Sequence, residues 1–178
     1  MSTTALSPLT GTWTIDPVHS SASFAVKHLV ATFRAGFDVI EGSYDADAGV
    51  LRGTAPVASL DVTQEDLKGH LLSPDFFDAT AHPTIDFVST AVQVGQDGTL
   101  EVQGDLTLRG VTRPVTGRGS ITEVIPGPGG DVVGIEVQTT VNRNDFGLSW
   151  NADLPGGRKM LGDDVTLSLS LELGQPTA

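Results

Sequence analysis

Four histidines, His19, His28, His70 and His82, are the side chains of this 178-residue chain best suited to proton transfer or metal ligation near neutral pH. None stands in a metal-binding register, because no two fall at i, i+4 on a helical stretch with a nearby Glu. Cysteine is absent, which excludes a thiolate site, a thiol nucleophile and a disulfide framework. A resident metal is therefore not expected. Asp16, His19 and Ser20 share the residue types of a hydrolytic triad, but they lie too close along one segment to converge, and no Gly-x-Ser-x-Gly elbow exists. Asp145-Phe146-Gly147 matches the magnesium-holding tripeptide of protein kinases, yet neither a Gly-rich phosphate loop nor a His-Arg-Asp loop accompanies it. His82 precedes Pro83 and is expected to serve a turn. His28 continues the parity of Phe24 and Val26 and is expected as a half-buried, hydrogen-bonded histidine at a strand end.

The elements that would position these residues are strands. Period-two alternation dominates, with Leu100, Val102, Gly104, Leu106 and Leu108 on one face against Glu101, Gln103, Asp105 and Thr107 on the other. Val165 to Leu173 repeats the pattern, as do Ala22, Phe24 and Val26, and a further stripe is formed by Val133, Ile135, Val137 and Val141. Adding 37–44, 50–62, 85–94 and 111–121 predicts about eight strands, the count of a sandwich or small barrel. Asp97-Gly98 predicts a type I′ hairpin, Asp45 to Gly49 a longer one, and Pro126 to Asp131 an exposed loop. Thr63 is placed to cap a short helix carrying Leu67, His70 and Leu71 on one face, and Ser73-Pro74 to open a further helical turn. This helical segment, near residues 63–78, would cover one barrel opening, with Phe76 and Phe77 as an apolar plug or ordinary core.

One change of parity stands out. The stripe ending at Val141 is odd, whereas Phe146, Leu148 and Trp150 are even. Either a β-bulge at Asn142 to Asn144 re-aims the chain, or Arg143 and Asp145 point inward and must be paired.

Size and composition agree with one all-β domain. The chain has 21 Gly and 10 Pro, and 178 residues suffice for a core without staples. The expected layout is a flexible segment over 1–11, a barrel over 12–174 and a tail over 175–178. The net charge of −12 repels polyanions and anionic membrane surfaces, so nucleic acid is not an expected partner and any dealings with membrane lipid are expected to be brief. Without a long apolar run or a polybasic amphipathic stretch, stable membrane insertion is not expected either. The opening Met1 to Pro8 lacks a positive n-region and an apolar h-region, so no secretory signal is read and a cytoplasmic location is expected, or a periplasmic or secreted one if a leader has been trimmed from the sequence. A homodimer is one arrangement that the sequence allows.

The residues Trp13 to His28 (WTIDPVHSS and FAVKH), His70 to Asp78 (HLLSPDFFD), His82 to Phe87 (HPTIDF), Gly104 to Val115, Asn142 to Leu148 (NRNDFGL) and Gly162 to Leu167 together resemble the YceI-like, lipocalin-like polyisoprenoid-binding proteins. Asn144 stands where members often carry Lys. The resemblance implies an eight-stranded antiparallel barrel, no catalytic machinery, no cofactor, and a long isoprenoid chain of the polyprenyl or quinone type held inside. The wall positions to which this points are Phe24, Val26 and His28, then Phe37, Phe76 and Phe77. Ile85, Phe87, Leu106 and Leu108 follow, and the set ends with Phe146, Leu148, Trp150, Leu167 and Leu169. Gly104 and Ala22 withhold volume along the inward stripes, which makes a tunnel plausible, and about eight isoprene units inside would give near-nanomolar affinity. Two other readings stay open: an enzyme acting on such a lipid, with His28, His70 or Asp16 as acid or base near the mouth, and a collapsed barrel with a structural or stress-related role.

Overall fold

A computed structural model describes residues 6–176. The chain is a closed, eight-stranded, up-and-down antiparallel barrel. Strand β1 comprises Thr12–Ile15 and Ser21–His28, β2 comprises Ala31–Phe37 and Glu41–Asp45, and β3 comprises Val50–Pro56 and Leu60–Asp61. The remaining strands are β4 Thr84–Val94, β5 Thr99–Leu108, β6 Val111–Ile121, β7 Gly130–Asn142 and β8 Leu161–Pro176. Each strand pairs with the next. Closure comes from β8, which pairs along β7 from Asn142↔Asp164 to Gly130↔Pro176 and on its other edge with β1 through Phe24↔Leu167 and Ile15↔Leu173.

The breaks have local causes. Between the halves of β1, Pro17 has no N–H for the ladder, and the Asp16 carboxylate accepts the backbone N–H groups of Val18 and His19 instead. In β3 a 3₁₀ turn at Val57–Ser59 follows Pro56, and the Ser59 hydroxyl donates to the Pro56 carbonyl. The expected single strand over 37–44 is likewise two pieces, beginning earlier at Ala31 and interrupted after Phe37.

Several turn expectations need correction. Among Asp97 and Gly98 only Gly98 has positive φ, at +84°, and its N–H donates to the Gly95 carbonyl at 3.0 Å. The turn is thus a right-handed one closed by a left-handed glycine and not type I′. The 126–131 stretch is a tight hairpin in which Ile125–Gly127 pairs with Gly130–Val132. Helix α1, Glu65–Leu72, starts after Gln64, with no side-chain cap from Thr63. Ser73 does cap a turn, its hydroxyl accepting from Asp75 N–H at 3.3 Å.

The parity change is resolved by a 3₁₀ turn, Arg143–Phe146, and not by a bulge. The Asn142 side chain accepts from the Asn144 N–H, and Gly147 leaves the turn at φ +76°. Three to four residues are consumed without crossing the wall, so Phe146 and Leu148 arrive inward. Arg143 is buried while Asp145 is exposed, so only the first of the two charges faces in.

The interior has two regions. Trp13, Tyr44, Leu100, Ile121, Val133 and Leu173 pack one end shut, joined by Leu6 and Leu9 from the segment before β1. Phe24, Val57, Leu60, Leu71, Phe76, Phe77 and Phe146 surround the other end, beneath α1. The expected flexible segment and tail fall partly on residues 1–5 and 177–178, outside the described residues. Within them, the Gln175 amide donates to the Thr10 carbonyl and Pro176 is still paired.

Candidate functional site

Alternation turns the apolar side chains of all eight strands inward, and above the packed end they leave a cavity of about 740 Å³. This lies within the roughly 300–1,000 Å³ range of ligand sites. All fifteen wall positions expected from the sequence line it: Phe24, Val26, His28, Phe37, Phe76, Phe77, Ile85, Phe87, Leu106, Leu108, Phe146, Leu148, Trp150, Leu167 and Leu169. Leu108, Leu167 and Leu169 are only half-buried although they point inward, because they border open space and not one another. Further wall residues were not singled out by the sequence, among them Ile40, Leu51, Ala55, Val137, Val141 and Val165. Their signal was the same alternation, and nothing in it marked them apart from packed core.

Gly104 does not open the tunnel as expected. A Cβ there would lie 2.5 Å from the Phe87 ring and 2.5 Å from the Val88 carbonyl oxygen, so the glycine makes room for Phe87 and the β4 backbone beside a bulge between Ser89 and Ala91. Ala22, by contrast, does line the cavity.

The mouth lies between β2 and α1. Ala31 to Ala35 pair with β1 on one side, while on the other β3 reaches only Gly36 and Phe37. Ala31 and Phe33 of β2 line the cavity beside that gap, together with Leu67, His70 and Leu71 of α1. Two aromatic groups frame it. Phe77 packs edge-on against Phe24 and Phe37, at 5.9 and 5.8 Å between centroids, and seals β1 and β2 to the segment after α1. His70 packs edge-on against Phe76 at 5.0 Å and Trp150 at 4.8 Å. Arg109, in the β5–β6 turn, ties this rim together by donating to the carbonyls of Gly147 and Pro74.

Few polar groups face the cavity. Thr139 donates its hydroxyl to the Thr116 carbonyl. Arg143, 6% exposed, donates from Nε to the Gly162 carbonyl at 2.8 Å and from Nη1 to those of Leu148 at 2.6 Å and Trp150 at 2.8 Å. Asp163 lies 3.6 Å from its Nη2. Burial lowers the guanidinium pKa from its ordinary value and Asp163 opposes this. The guanidinium is thus a staple for 148–162, its charge taken up by carbonyls and not by a ligand.

The histidines do not assemble a catalytic centre. His28 faces the cavity, but among the described residues no hydrogen bond reaches its ring, since its strand partners Ala31 and Leu161 carry no polar side chain. His70 bonds to Asp75 at 3.0 Å. His82 closes a turn through its N–H to the Asp78 carbonyl and packs under Gly110. Asp16 and His19, thought too close to converge, do meet at 2.9 Å because the Asx-type turn folds one onto the other. Ser20 does not join them, being bonded to the Glu172 backbone. Asp16, His19 and Glu172 form a three-donor cluster on the outer surface, away from the cavity, that sequence spacing could not show because Glu172 comes from β8. The hydrogen bond to Asp16 raises the His19 pKa above its usual 6.5, and the bond to His19 lowers the Asp16 pKa below its usual 3.8. Among the described residues no helix is long and apolar enough to cross a membrane.

This geometry has counterparts. A UPF0312 protein of Staphylococcus aureus strain MSSA476 is 35% identical over 169 residues, which cover 90% of this chain and 95% of the relative. The crystal structure of BcnA from Burkholderia cenocepacia superposes with TM-score 0.71 at 21% identity, covering 89% of this chain and 98% of that one. A polyisoprenoid binding domain from Saccharophagus degradans, implicated in plant cell wall breakdown, does so with TM-score 0.71 at 15% identity, covering 92% and 98%. Both likenesses are of fold. The YceI-like domain model matches residues 13–173, from the first barrel strand to the strand that closes it, so the chain belongs to the YceI-like family.

Proposed function

We propose that the barrel binds a long isoprenoid lipid, of the polyprenyl or isoprenoid-quinone type, and shields it from water as a carrier or store. The observation that carries this reading is the one-ended apolar cavity. The space of about 740 Å³ opens to solvent at one end and is therefore filled, and a wall with so few polar groups favours hydrocarbon over water.

The size sets the ligand. An apolar cavity of about 150 Å³ accepts one benzene, so by proportion this one holds roughly 30 carbon atoms, or about six isoprene units. At about 0.3 kcal/mol per atom the enclosed part supplies about 9 kcal/mol, a sub-micromolar affinity. The eight units considered from the sequence would leave their last part in the mouth. A flexible, branched, uncharged chain suits a wall of Leu, Val and Phe, and the polyisoprenoid-binding domain of the same fold supports the choice of isoprenoid. Carriage is favoured over catalysis because Asp16 and His19 lie on the outer surface away from the cavity, and of the two histidines on its wall, His70 is packed between Phe76 and Trp150 while no hydrogen bond reaches the His28 ring among the described residues. Native mass spectrometry followed by organic extraction tests the proposal. One isoprenoid chain per barrel is expected, and a ligand-free barrel from a lipid-replete host would overturn it.

A further inference from the structure

The β1–β2 turn projects beyond the mouth and carries two apolar side chains into solvent, Leu29 at 48% exposure and Val30 at 92%. Leu29 has φ +52°, a left-handed conformation in which Gly or Asn would be less strained. A bulky apolar residue that is both strained and exposed contributes little to folding. The turn is nevertheless held firmly, with Leu29 N–H donating to the Met160 carbonyl at 2.9 Å and the Lys27 ammonium to the Val30 carbonyl at 3.2 Å. Met160 follows a small two-stranded ribbon, Asp153–Leu154 with Arg158–Lys159, so Lys27, Arg158 and Lys159 flank the apolar tip. Lys159 is paired with Asp153, and Asp163 with Arg143, while Asp164 beside them, Asp145 in the 3₁₀ turn and Glu65 and Asp66 on α1 are in no ion pair among the described residues.

Charge is distributed along the barrel in the same sense. Of the ten Lys and Arg, only Arg52 and Arg118 lie in the half away from the mouth, where Glu41, Asp45, Asp47, Asp97, Glu123 and Asp131 are found. The mouth half carries acids too, among them Glu65, Asp66, Asp75, Asp145, Asp163 and Asp164, so it is the less negative end of an acidic chain and the one that approaches a negatively charged surface with least repulsion.

We propose that this tip is the docking surface for a phospholipid bilayer, Leu29 and Val30 entering the interfacial layer while Lys27 and Arg158 meet phosphate groups. Two inserted side chains and two cations give weak, reversible contact, which places the mouth against the source or destination of a lipid. The inference rests on the isoprenoid-carrier reading for its purpose but not for its test.

The test is co-flotation of the whole chain with vesicles of phosphatidylcholine alone and of an equimolar phosphatidylcholine–phosphatidylglycerol mixture, at low and high salt. Wild type should float with both, more with the mixture at low salt. Val30→Asp and Leu29→Asn, the latter tolerant of the left-handed backbone, should each bind about tenfold more weakly, the loss expected when one such side chain stays in water. Val18→Asp, at a site equally exposed but far from the mouth, should float like wild type. Unchanged thermal unfolding of the variants would show that they remain folded. Tip variants that float as wild type does, or a wild type that floats with neither vesicle, would overturn the proposal. So would a tip substitution that dissociates a dimer in sedimentation without altering flotation. Lipid extracted from the same preparations separates the two ideas, since tip-dependent flotation of lipid-free protein refutes the carrier and leaves the docking surface standing.

Discussion

Leu106→Trp probes whether the cavity is where a lipid lies. Leu106 sits two residues before the end of β5, opposite Phe87 and Arg113 in the neighbouring strands, with its side chain on the cavity wall. Tryptophan adds six heavy atoms, as many as a benzene, and so removes about 150 Å³, a fifth of the available space. The displaced ligand atoms were worth about 2 kcal/mol, so affinity should fall about twentyfold. The fold should lose less than the about 1–3 kcal/mol of ordinary overpacking, because the indole enters space and not neighbouring atoms. Urea unfolding and extracted lipid can be measured on the same preparations. A variant that unfolds several kcal/mol earlier would show the cavity to be collapsed in solution. One that is stable and carries as much lipid at the same affinity would show that the ligand lies elsewhere.

Gly104→Ala should be the more damaging change although it adds one methyl, because its Cβ meets Phe87 and backbone at 2.5 Å; a loss of about 2–3 kcal/mol by urea unfolding is expected, and none would contradict the packing described. Arg143→Met leaves the carbonyls of Leu148, Trp150 and Gly162 without their donor, so a loss of about 3 kcal/mol is expected, with altered near-ultraviolet dichroism from Trp150; stability within about 0.5 kcal/mol of wild type would refute the staple. For His19 the folded pKa is raised, so its stabilising effect is complete below 6.5 and fades as pH rises through the raised value, whereas that of Asp16 is complete above 3.8 and fades as pH falls through the lowered one. The stability difference between wild type and His19→Asn should therefore peak in the mildly acidic range between them; a nuclear magnetic resonance titration placing His19 at or below 6.5 would oppose this.

Strand identity and facing were legible because one side of each strand meets apolar space and the other meets water, as Leu100 to Leu108 shows residue by residue. Whether that apolar space is filled was not legible. Leu106, which borders the cavity, and Leu100, which is packed in the closed end, each stand between a threonine and an acidic residue in sequence and differ in what the barrel's other walls place against them. The misreadings arose where polar groups satisfy one another locally. The Asx-type turn at Asp16, the side-chain cap at Asn142 and the carbonyl cluster around Arg143 depend on geometry that residue types alone leave open. The opening under the helical segment was legible, but the gap beside β2 that forms it was not, since a strand lacking a partner on one side reads in sequence like any other.

The closing role of β8 also governs how the barrel comes into being. Phe24 and Leu167 are neighbours across the seam yet stand at opposite extremes of the chain, and every contact that completes the ring waits for the last strand to arrive. Topologies of such high contact order fold slowly, on the millisecond-to-second scale for small domains. Until closure, seven strands display their apolar face with no opposing wall, a curled sheet with two raw edges. That intermediate is the form most exposed to aggregation during biosynthesis.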